Sequence, residues 1–108
     1  MTEFDPEKFE DKYVHYFPEL QRAYKQAFET MNNEFDSELI HGIDQGVLSE
    51  SEPFYEGDGA FRIELPDNPA QRLSNLGLIV DEEKLEAVME RYLDELEAEL
   101  QGVFGLER

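Results

Sequence analysis

The chain contains no cysteine and no tryptophan. Without cysteine there is no disulfide framework, no thiolate metal site and no thiol nucleophile. Basic residues are scarce: Lys and Arg number nine against 27 Asp and Glu, a formal net charge of −18. A surface this acidic repels nucleic acid and anionic membranes, so direct DNA or RNA binding is not expected. No stretch approaches the ~20 apolar residues of a membrane span. The opening "MTEFDPEKFE" has neither the basic region nor the apolar run of a signal peptide. The expectation is a cytoplasmic protein. There is no Gly-rich phosphate loop with a Lys, no nucleophile elbow and no HExxH pair, and no cofactor is implied.

What is present is enough for a core. With 108 residues, 40% of them hydrophobic and 12% aromatic, the chain suits one acidic globular domain over 1–108. High net charge with low hydropathy would suggest disorder, but the apolar residues recur with clear periods. After the cap-and-start pair Asp5-Pro6, Phe9, Tyr13, Tyr16, Phe17, Leu20, Tyr24, Ala27, Phe28, Met31 and Phe35 follow at steps of three and four, a helical stripe. Pro18 removes a helical hydrogen bond, so the stripe is either one kinked helix or two helices with Pro18 starting the second. Residues 37–48 suit a short helix opened at Asp36 or Ser37, with a strand over 39–43 as the alternative, because Gly42 and Gly46 weaken a helix.

The period then changes. Phe61, Ile63 and Leu65 alternate with Arg62 and Glu64, the pattern of a half-buried strand. Gly57-Asp58-Gly59 suits a hairpin turn, with 53–56 as the partner strand. "GLIV" at 77–80 is a candidate third strand. Asn68-Pro69 opens a short helix that stops at Gly77. Asp81 caps a last helix with an apolar face of Leu85, Val88, Met89, Tyr92, Leu93, Leu96, Leu100 and Val103. The fold class is α+β and mostly helical: a long N-terminal helix or helix pair and a C-terminal helix, packed with a small antiparallel hairpin or short sheet.

That last helix stacks like charges. Glu82/Glu86, Glu86/Glu90, Glu90/Asp94 and Glu95/Glu99 are pairs four apart, each costing roughly 0.2–0.5 kcal/mol. At ~1 M salt the Debye length is about 3 Å and the repulsion largely disappears. The acids spread along the whole chain, which favours adaptation to a salty cytoplasm over a dedicated acidic patch.

Few residues suggest chemistry. Glu38, His41 and Asp44, three apart, would share a helix face and could offer two carboxylates and an imidazole to a divalent metal or a proton. Three such ligands leave a metal site incomplete, and exposed acids on a capped helix are the simpler reading. His15, between aromatics in "KYVHYFPEL", could titrate near neutrality or lie at the stripe's edge. Eight of the 13 aromatics fall in residues 4–35. They could line a pocket or a dimer interface, although their helical spacing reads first as core.

The segments "FDPEKFEDKYVHYFPELQRAYKQAFETMN", "SEPFYEGDGAFRIELP" and "VDEEKLEAVMERYLDELE" resemble those of a small uncharacterised protein family of halophilic archaea. The resemblance spans nearly the whole chain. It implies a high-salt cytoplasm and brings no activity, cofactor or catalytic residue with it. The function expected first is a non-enzymatic interaction or scaffold protein, self-associating as a homodimer, because the apolar helix faces exceed what one hairpin covers. A small-molecule or metal-binding protein or enzyme, with a pocket between hairpin and helices, is the second reading. A nucleic-acid mimic that blocks a basic partner is the third.

Overall fold

The computed structural model describes residues 4–106. Two single helical turns come first, α1 (Pro6–Phe9) and α2 (Lys12–His15). The Asp5 carboxylate accepts from the Glu7 amide at 2.9 Å, and Pro6 sits in the first turn, where a missing N–H costs nothing. Tyr16, at φ −127°, breaks the helical path, and α3 (Phe17–Glu34) begins with Pro18 in its first turn. The proline therefore starts a helix rather than kinking one. The Tyr16 hydroxyl accepts from the Asp5 amide at 3.0 Å and ties this hook together.

On α3 the residues Leu20, Ala23, Ala27 and Met31 are buried. They meet the buried face of α6 (Glu82–Val103), formed by Leu85, Val88, Met89, Tyr92, Leu96 and Leu100. This is the most extensive helix–helix contact among the described residues. Asp81 caps α6, accepting from the Glu83 amide. The 37–48 segment is helical: α4 (Ser37–Gly46) buries Leu39, Ile40 and Ile43, and one 3-10 turn follows at Leu48–Glu50. The strand alternative fails because the apolar positions fall on a single helical face. Gly42 marks a close approach: a Cβ there would lie 2.2 Å from Leu78 Cδ1.

Strands β1 (Glu52–Gly57) and β2 (Ala60–Glu64) pair antiparallel, with Pro53 opposite Ile63 and Tyr55 opposite Phe61. Gly57, Asp58 and Gly59 all take positive φ, as the turn requires. Residues 77–80 are not a strand. Gly77, at φ +85°, ends α5 (Pro69–Asn75), and the Leu78 amide returns to the Leu73 carbonyl at 2.9 Å. Leu78 and Val80 turn in and Ile79 turns out, so the segment has strand periodicity without a ladder partner. The described residues thus form an α+β fold, mostly helical, with one two-stranded sheet.

An aromatic cluster fills the space between the hairpin and the helices. Phe4, Phe9, Tyr16, Tyr55, Phe61 and Phe104 meet with ring centroids as close as 4.9 Å. No described helix is long and apolar enough to cross a membrane.

Candidate functional site

The triad anticipated on α4 is not gathered. Glu38 and His41 are exposed and Asp44 is half-buried. The His41 ring packs edge-on against Phe28, 4.8 Å between centroids. Glu38 lines a cleft of about 340 Å³ with Asp36, Asp81 and Lys84. Burial raises the Asp44 carboxyl above its ordinary value, and the His41 charge pulls it back in part. Among the described residues no three His, Asp or Glu side chains are placed to hold a metal. His15 is exposed on α2.

The aromatic stripe divides. Phe9 and Tyr16 are core, whereas Tyr13, Val14 and Phe17 lie in the open, Val14 at 79% of its accessible surface. These three belong to "KYVHYFP", residues 12–18, which holds no acid. Leu76 and Ile79 are also exposed, and they too sit in a run without acids, residues 68–80. In a chain with a carboxylate at about one position in four, the bare apolar surface falls mostly where the carboxylates stop.

Beside the first patch, Lys12 is buried at 3% exposure. Its Nζ donates to the Glu52 carboxylate at 2.7 Å and lies 4.9 Å from the Phe54 ring centroid and 5.3 Å from those of Phe9 and Tyr13. Next to this pair the Tyr24 hydroxyl shares a hydrogen bond with Ser51 at 3.0 Å. Burial pushes that phenol up to about 12, while the Ser51 contact acts in the opposite sense.

A groove of about 780 Å³ runs between α5 and α6. It arises because the two helices are anchored on different partners: α5 packs on α4, and α6 packs on α3 and β2. Its apolar lining is Leu65, Pro69, Ala70, Leu85, Met89 and Leu93. One wall carries Asn68, Gln71 and Ser74; the other carries Glu82, Glu86 and Glu90. The sequence showed these glutamates as a stack along a helix, but it could not show what faced them. The available signal was an offset. Leu85, Met89 and Leu93 repeat at the same four-residue step as Glu82, Glu86 and Glu90, so the apolar and acidic rows run side by side.

No curated protein and no solved structure matches the chain. The sequence model of a family of unknown function, DUF5783, matches residues 1–107, and the chain belongs to that family.

Proposed function

We propose that the chain is a non-enzymatic interaction protein of a salt-rich cytoplasm, and that it self-associates as a dimer. The observation that carries this reading is the exposed apolar cluster Tyr13, Val14 and Phe17 in the acid-free stretch 12–18. Exposed apolar residues set together on a polar surface mark an association site. A second copy is the partner this patch suits, since the stretch brings no carboxylate of its own to the contact and the neighbouring Glu52 is paired with Lys12. A two-fold contact of that kind is self-complementary by construction. The net charge of −18 and its even spread support the salt-rich, halophilic setting, because screening at ~1 M salt or above lets such chains approach.

Sedimentation in ~2 M KCl tests the reading. A dimer is expected across the micromolar range. Val14→Asp is expected to give a monomer with unchanged helical circular dichroism, since Val14 contributes little to the core. A wild-type chain that stays monomeric throughout that range would overturn the proposal.

A further inference from the structure

We propose that the groove between α5 and α6 binds an amphipathic helix of a partner protein, apolar on one face and basic along one flank. This site is separate from the self-association patch and stands or falls independently of it. The groove has the shape of a helix seat. From Glu82 to Leu93, α6 lines the groove over eleven steps, about 16 Å or three helical turns. Leu85, Met89 and Leu93 recur every four residues along it, the spacing that receives side chains of a second helix lying alongside. Met89 has an unbranched, polarisable side chain that adapts to whatever lies on it.

Its charge is one-sided. Glu82, Glu86 and Glu90 line one wall, and among the described residues none has an ion-pair partner. Of the cations on α5 and α6, Arg72 pairs with Glu50, Arg91 pairs with Glu34 and Glu95, and Lys84 lines the separate cleft with Asp36, Glu38 and Asp81. Three carboxylates at one edge of an apolar trough match a helix with Lys or Arg along the corresponding flank. The opposite wall offers only amides and a hydroxyl, Asn68, Gln71 and Ser74. The partner's other flank is therefore neutral and polar, and this asymmetry fixes the direction in which the helix lies.

A second copy of the chain is not the occupant this groove suits. The long helices α3 and α6 turn most of their apolar residues to each other and the core, and the outer edge of the α6 face, Leu85, Met89 and Leu93, floors the groove itself. Apart from the α6 row that floors the groove, the exposed apolar side chains are scattered: Tyr13 and Val14 on the single turn α2, Phe17 at the first position of α3, Phe35 at its end, and Leu76 and Ile79 after α5, so no described element offers a second three-turn apolar face.

The test uses synthetic helical peptides of about four turns, with leucine at every fourth position. One carries lysines along one flank and a matched peptide carries glutamates there. Isotherms and amide NMR shifts are recorded at ~0.2 M and ~1 M KCl. The lysine peptide is expected to bind saturably, shifting residues 69–75 and 82–93, more tightly at the lower salt, while the glutamate peptide does not bind. Glu86→Gln and Glu90→Gln are each expected to weaken the lysine peptide about two- to fivefold. Ser74 is exposed on the wall, so Ser74→Trp obstructs the groove without touching the core and is expected to abolish binding at unchanged melting temperature. Several results would overturn the proposal: absence of binding by the lysine peptide, equal binding of both peptides, binding insensitive to Ser74→Trp, octylammonium bound as tightly as the peptide, or loss of a wild-type dimer on Ser74→Trp.

Discussion

Lys12 is one of four lysines in the chain and lies almost wholly out of water. A buried ammonium survives only where its lost hydration is replaced. Here one carboxylate and three ring faces replace it, the rings acting through their quadrupoles. The two partners are not equivalent. Lys12 has 4% of its side chain exposed and Glu52 has 45%, so Glu52 regains water if the pair is broken and Lys12 does not. Removing a partner from a wholly buried pair costs about 3–5 kcal/mol, whereas replacing it by an apolar side chain of similar size is often neutral. Glu52→Ala is therefore expected to destabilise by about 2–3 kcal/mol, below the wholly buried range because of its exposure. Lys12→Met, which refills the same space, is expected to stay within about 1 kcal/mol of wild type. Urea midpoints decide it; equal losses for the two variants would contradict the asymmetry. Nothing in "EDKYVHY" announces the burial, because Lys12 occupies a stripe-edge position that usually faces water.

At the scale of elements, α6 carries a conflict. Glu86 has a like charge four residues away on both sides, Glu82 and Glu90. Glu86→Gln relieves both contacts and is expected to raise stability by roughly 0.4–1 kcal/mol at ~0.05 M KCl, with the gain vanishing near 1 M. Thermal melts at the two salt concentrations measure it. A gain that persists undiminished at high salt would show that repulsion is not its source. The same substitution is expected to weaken the lysine peptide, so what is unfavourable for the helix alone is favourable for the groove. Most elements were legible because their signals are local. The period of 3.6 marks α3 and α6, Pro18 marks a start, and Gly57-Asp58-Gly59 marks the hairpin turn. Residues 77–80 carry a local signal without the element it suggests. Leu78 and Val80 alternate with Ile79 as a strand would, yet alternation records only which side faces the core, and a strand also needs a neighbour to bond with. The groove was illegible for a related reason. It exists between α5 and α6, which are held apart by their separate partners α4 and α3, and no stretch of sequence encodes a gap.

For the whole molecule the governing quantity is −18. The ion pairs described engage Lys12, Arg62, Arg72 and Arg91, which leaves most carboxylates facing water without a counter-charge. Self-repulsion of that kind acts on the compact state and is relieved by expansion. The melting temperature is expected to fall as KCl drops below ~0.2 M, where the screening length exceeds about 7 Å, and to rise towards a plateau near 1 M. Differential scanning calorimetry across that range is the check, and a melting temperature independent of salt would refute it.

The ring of Phe4 and the ring of Phe104 touch, 4.9 Å between centroids, although a hundred positions separate them. The two ends of the described chain therefore meet in one aromatic cluster, and the path of the backbone is nearly a closed circuit. The order in which the elements are written along the polypeptide is then one choice among several. Joined across that gap by a short linker and opened at an exposed connection, a circular permutant would keep the same core, hook, hairpin and groove.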